Sequence, residues 1–305
     1  MTPKTKGLIV DAVTYAVAFG IALVPFMMID NIFAATAVFT AVATVLIFVV
    51  TVVTKDVSVY DPYWSVAPVV MLLADVLKYR LWNLNSAILL TVVGLWAARL
   101  TANWYVTYRG LGHEDWRYAM YREKLSPVLF QGLSFIGLQM MPTVVVYLGL
   151  MSAIFSIQRE NFAPLSILGV LVMLAAVALE FVSDRAIHGF LKEHAGEHRT
   201  CDVSVWRYSR HPNYLGEMSF WTGMYFYFVA LCPEIWYKGL GFVSILAVFL
   251  IVSIPMMEKH NMERRADYAE YRARTSVLIP LPNRSIDEKV PADGNGETDF
   301  AAVDR

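Results

Sequence analysis

Eight apolar runs, each near the length that crosses a bilayer, dominate this chain: 8–29, 33–54, 63–78, 86–108, 128–156, 163–188, 213–232 and 236–257. A hydrocarbon core about 30 Å thick needs roughly 20 apolar residues per helix. Lipid offers the backbone no hydrogen-bond partners, so runs of this kind must satisfy themselves as helices. The pattern predicts an all-α, polytopic membrane helix bundle of about seven or eight transmembrane helices. The third run is the shortest and carries Pro68 and Asp75; it is expected to tilt or to be partly re-entrant, which would leave seven full crossings. The first run follows Lys4 and Lys6 and is longer than the 7–15 apolar residues of a signal peptide, so it reads as a signal anchor.

Charge supports this layout. Of 305 residues, 57% are hydrophobic and 17% charged, against about 25% charged in a soluble domain. The first 257 residues hold only 33 of the 51 charges. A disordered chain, a basic nucleic-acid-binding face and a disulfide-rich secreted module are excluded, and a soluble globular enzyme is disfavoured. Cys201 and Cys232 fall on opposite sides of the bilayer and are expected to be free thiols. With both termini cytoplasmic, 17 basic residues lie on the inner side and 4 on the outer, as the positive-inside rule requires. The chain divides into N-terminal transmembrane helices (1–54), a main membrane domain (55–282) and a polar tail (283–305) expected to be disordered. The charged stretch 258–275 reads as a short amphipathic helix against the inner face.

Ionisable groups at membrane depth cost roughly 2.5–3.5 kcal/mol each on insertion scales and therefore face partners or cavities. Arg99, with Trp96 and Asn103 on the same helical face, is one such group. It reads as a polar cavity wall or as half of an interhelical pair with Glu180. Glu180, Asp184 and His188 form an i, i+4, i+8 stripe that runs into a basic loop. Two inner loops, YRGLGHEDWRY (108–118) and WRYSRHPNYLGE (206–217), carry Arg109, Arg117, Arg207 and Arg210 among aromatics that include Trp206, His211 and Tyr214. Guanidinium forks suit phosphate oxygens and aromatic faces suit a stacked ring, so a nucleotide entering from the cytoplasm fits, as does plain anchoring by basic loops. His194-Ala-Gly-Glu-His198 matches the letters of a zinc motif. With Gly196 in its centre it reads as a loop, and no metal is expected. No glycine-rich phosphate loop is present, so a nucleotide site must lie between helices.

Five strings in order resemble the steroid 5-alpha-reductase superfamily, closest to its uncharacterised bacterial and fungal branch: YDPYWS (60–65), WAARL to EDWRY (96–118), LEFVSD (179–184), HPNYLGE (211–217) and YAEYRARTSVLIPLP (268–282). The resemblance covers about residues 55–282. It implies an NADPH-dependent reductase that saturates a carbon–carbon double bond conjugated to a carbonyl, in a lipid-like substrate entering from the bilayer. It implies that Asn213 and Glu217 contact the nicotinamide end, that Gly216 lets the cofactor approach its helix, and that Asp184, Tyr268 and Arg109 match family positions in the cofactor site. The family's Arg, His and Tyr run in the last helix is absent; Lys259, His260 and Arg264 stand there instead. The family's early-helix glutamate is also absent, leaving Asp61, flanked by Tyr60 and Tyr63, as the expected proton-donor group. Its other reading is a turn, since Asp-Pro commonly begins one. The alternative function is that of a membrane methyltransferase using S-adenosylmethionine, of the isoprenylcysteine or phospholipid type, which shares the pattern from Arg210 to Gly216. A non-enzymatic membrane scaffold or sterol sensor is a third reading.

Overall fold

Every apolar run folds as a helix. The computed structural model describes residues 1–283, among which there is no strand. In chain order the helices are α1 (Pro3–Met28), α2 (Ile32–Thr54), α3 (Tyr63–Tyr79), α4 (Leu84–Thr107), the short α5 (Trp116–Lys124), α6 (Pro127–Ile157), α7 (Ser166–Glu193), α8 (Pro212–Leu231), α9 (Pro233–Arg264, opening with a 3₁₀ stretch) and α10 (Tyr268–Arg274). Their ends follow local chemistry. Thr2, Asn31 and Asn83 each precede a helix and accept a hydrogen bond from a backbone N–H of its first turn, satisfying donors that have no intrahelical partner. Among the described residues, seven helical segments are long and apolar enough to cross a membrane.

The division between strong and weak spans differs from the sequence expectation in two places. The third run is extended at its start by a 3₁₀ turn, Val57–Tyr60, and Val57–Tyr79 is among the seven. Asp75 is fully buried, and its polar neighbour there is the Thr36 hydroxyl, whose Oγ1 lies 2.9 and 3.0 Å from the two carboxyl oxygens. The segment outside the seven is α8, which is long enough but rich in Tyr, Trp and polar groups. It packs closely along α7. Gly169 and Gly223 permit this approach: a Cβ on Gly169 would lie 2.5 Å from Tyr227 N, and one on Gly223 would lie 3.0 Å from Gly169 O. Small residues serve this purpose at membrane helix interfaces. The 258–275 stretch also differs. It does not form one amphipathic helix, because α9 continues to Arg264 and the chain turns before α10.

The N-terminal helices belong to the same core as the rest, and one contiguous cluster of buried side chains extends from Tyr15 in α1 to Ile245 in α9. Tyr15 donates to the Val59 carbonyl at 2.7 Å, pinning the turn that precedes Tyr60 and Asp61. Two π-helical stretches interrupt α6 (Ser134–Met140) and α9 (Val248–Ser253). Such stretches are rare and frequent at functional sites; both contribute walls to the cavity described next. The polar tail expected from 283 onward lies, beyond that residue, outside the described residues. Both cysteines are free and buried.

Candidate functional site

Four charged side chains from three helices meet at the centre of the bundle. Arg99 of α4 places Nη2 2.9 Å from Glu180 Oε2 and Nη1 2.9 Å from Asp184 Oδ2, both on α7. The same Nη2 lies 3.6 Å from Glu217 Oε2 on α8. The i, i+4 spacing of Glu180 and Asp184 puts both on the face toward α4. Glu217 is held from two sides: Trp96 Nε1 donates to Oε2 at 3.0 Å and Trp221 Nε1 to Oε1 at 2.9 Å. Glu180, Glu217 and Asp184 are all buried. One guanidinium thus faces three carboxylates, a formal excess of two negative charges if all ionise. Buried charge of this kind requires compensation, and a cationic ligand group would supply it.

These residues line a cavity of about 470 Å³, within the size range of small-molecule sites. Asn103, Asn213 and Tyr214 also line it, as do Asp115 and Arg117 from the start of α5. The Oδ1 atom of Asn103 is buried without a hydrogen-bond partner among the described residues. The wall opposite the charges is apolar, with Leu138 and Val145 from α6 and Ile245 and Phe249 from α9. Tyr60 and Asp61 close a further side. Asp61 Oδ1 accepts a hydrogen bond from Tyr118 Oη at 2.6 Å. Burial and the adjacent Asp61 carboxylate push the Tyr118 phenol well above its ordinary range, so it keeps its proton and acts as the donor of that pair.

A second recess of about 290 Å³ has the opposite character. Arg199, Arg264 and Arg265 line it, together with His198 and a ring pair, Trp116 over His260, with centroids 3.7 Å apart. Among the described residues, Arg264 and Arg265 have no carboxylate within 4.0 Å, whereas Arg199 lies 3.6 Å from Glu197. The two hollows adjoin through α5: Asp115 and Arg117 line the first, and Trp116 between them lines the second. Arg117 is locked by a fork onto Asp115, at 2.7 and 3.2 Å.

Of the residues singled out in the sequence, Tyr60, Asp61, Arg99, Asn103, Arg117 and Glu180 line the large cavity with Asp184, Asn213, Tyr214 and Glu217. The others lie elsewhere. Tyr63 is buried with its hydroxyl on Thr40 and Thr44. Arg109 is exposed and lines neither hollow. Gly216 faces Glu180, since a Cβ there would sit 2.3 Å from Glu180 Cγ; it makes room for the acid of α7. Trp206 donates to the Ser183 carbonyl at 2.9 Å. Arg210, His211 and Tyr268 converge on one buried acid, Glu258 Oε1, at 3.1, 2.7 and 2.6 Å. Together they fasten α10 and the loop before α8 to the end of α9. Burial and the Glu258 charge hold the Tyr268 phenol above its usual range.

Three features escaped the sequence reading: Tyr118 as partner of Asp61, Asp115 as partner of Arg117, and the stacking of Trp116 on His260. Tyr118 lies 57 residues from Asp61, and no local pattern links them. The density of aromatic and charged residues in EDWRY was the available signal.

The Gly216 contact yields a direct test. Gly216→Ala should gain roughly 1 kcal/mol of helix propensity but drive a methyl into Glu180, and overpacking costs about 1–3 kcal/mol. The expected outcome is a lower melting temperature and a displaced ion cluster; a rise in melting temperature would show that the α7–α8 contact has slack.

No curated protein and no solved structure matches the chain. The family described as "Protein of unknown function (DUF1295)" matches residues 47–275, a segment that holds α3 to α10 and both hollows. By that match, over about three-quarters of its length, the chain belongs to the DUF1295 family.

Proposed function

We propose that this protein is a membrane NADPH-dependent reductase of an enone in a lipid-like molecule, the activity that its resemblance to the steroid 5-alpha-reductase superfamily implies. The observation that carries the reading is the pair of adjoining hollows with opposite charge. A carboxylate-rich cavity suits the nicotinamide end, whose ring becomes cationic on oxidation. An arginine-rich recess with an aromatic stack suits phosphates and a stacked base. The cavity alone would equally suit the sulfonium of S-adenosylmethionine, the methyltransferase alternative. That ligand has no phosphate, and the basic recess would then have no role.

Asn213, Glu217 and Asn103 would hold the carboxamide, with the unpartnered Asn103 Oδ1 available to an N–H donor. Arg264, Arg265 and Arg199 would hold phosphate. When bound, the cofactor supplies the hydride. The chain's own residues do the rest. Asp61, when protonated on Oδ2 with Tyr118 bonded to Oδ1, is the group placed to deliver a proton to a carbonyl oxygen where negative charge develops. The apolar wall of α6 and α9 excludes water and accommodates a hydrocarbon body.

Protein reconstituted in lipid and given NADPH with a panel of enone lipids should oxidise the cofactor in an enone-dependent manner. Asp61→Asn should then reduce turnover by 10²–10⁴-fold, the usual value of a positioned acid, with NADPH affinity unchanged. Turnover equal to that of the parent would return Asp61 to the role of a turn residue.

A further inference from the structure

We propose that Thr44 and Thr143 are positioning residues that turn the Tyr60 proton into the protein, so that Tyr60 meets a cavity ligand only as a hydrogen-bond acceptor. A chain of hydroxyls from four segments carries the inference. Tyr60 Oη lies 2.8 Å from Thr143 Oγ1 on α6. Thr143 Oγ1 lies 2.9 Å from Thr44 Oγ1 on α2. Thr44 donates to the Thr40 carbonyl at 2.8 Å, and its longer contact to Tyr63 Oη at 3.3 Å is also as donor. Tyr63 itself donates to the Thr40 carbonyl at 3.1 Å.

Each hydroxyl has one proton, and a carbonyl cannot donate, so the backbone oxygen of Thr40 fixes the direction of the whole chain. The shortest contact of the Thr44 hydroxyl is to the Thr40 carbonyl, at 2.8 Å; with its proton placed there, Thr44 accepts from Thr143. The Thr143 proton is thereby used, and Thr143 must accept from Tyr60. All four side chains are buried, which leaves no bulk water to exchange for these partners, and a broken link here would leave an unsatisfied polar group.

The consequence for the site rests on the reductase reading. Tyr60 walls the cavity beside Asp61 but has no proton to offer a carbonyl. A ligand group reaching its oxygen must be a hydroxyl or an N–H, and the carbonyl must be served from the Asp61–Tyr118 side. Tyr60 is thus a specificity-determining acceptor, oriented by two threonines with no cavity contact of their own.

Raman spectroscopy of the ligand-free full chain in nanodiscs tests this. The tyrosine ring doublet reports whether a phenol donates or accepts, and the wild-type minus Tyr60→Phe difference isolates Tyr60. The expected signature is that of a donating phenol. It should be lost in Thr143→Val and retained in Thr143→Ser, which keeps the acceptor. An accepting signature in the wild type, or one unmoved by Thr143→Val, overturns the proposal. Should Thr143→Val fail to fold, the wild-type difference still decides the polarity. No cofactor is present in this experiment, so its outcome is separate from that of any NADPH titration.

Discussion

Arg99→Leu should destabilise the folded bundle by about 3–5 kcal/mol, the magnitude found when one partner of a buried ion pair is removed. Arg99 is the only cation within 4.0 Å of Glu180, Asp184 or Glu217 among the described residues, and its side chain is 9% exposed. Its loss leaves three carboxylates in one enclosure, where each disfavours the ionisation of the others. The damage is therefore electrostatic, and it should be reversible by removing charge. Arg99→Leu combined with Glu180→Leu should recover at least half of the lost stability, because apolar replacement of a whole buried pair is often neutral. Denaturant or thermal unfolding in a fixed detergent provides the comparison. A single variant as stable as the parent would mean that the cluster is wetter than its burial indicates.

The second large effect belongs to the basic recess. Arg264→Glu with Arg265→Glu should weaken NADPH binding by more than a hundredfold. Hydrogen bonds to charged groups contribute about 1.5–3 kcal/mol each, two are lost, and each 1.4 kcal/mol is a factor of ten. The parent's affinity should also fall steeply with added salt, and the variant's should not, since exposed charge is screened over roughly 10 Å at 0.1 M. An unchanged affinity in the variant would remove the recess from the cofactor site and leave the carboxylate cavity as a separate entity.

The helices were legible in the sequence because bilayer thickness imposes a length that composition reveals. The exceptions are instructive. The Asp75 span looked weak because its partner, Thr36, is on another helix. The α8 span looked ordinary, although its polar and aromatic content is what makes it a wall of the site. The charged stripe of Glu180 and Asp184 and its relation to Arg99 were visible from helical spacing, since i, i+4 geometry survives without coordinates. What spacing could not convey was which side chains turn inward after a loop. Arg210 and His211 share a motif with Asn213 and Glu217, yet the structure commits the former, together with Tyr268, to Glu258 and the latter to the cavity. Gly216 was read as room for a ligand, whereas it is room for Glu180. Tyr118 and Trp116 entered the site through tertiary folding of the loop before α5, over separations that no local rule spans.

The central claim is that the two hollows together receive a phosphorylated hydride carrier. Isothermal titration of the purified chain with NADPH and, separately, with S-adenosylmethionine tests it most directly. The account predicts micromolar binding of NADPH, weakened by Asn213→Ala and Glu217→Ala in folded protein, and no heat with S-adenosylmethionine. Binding of S-adenosylmethionine with none of NADPH would contradict it.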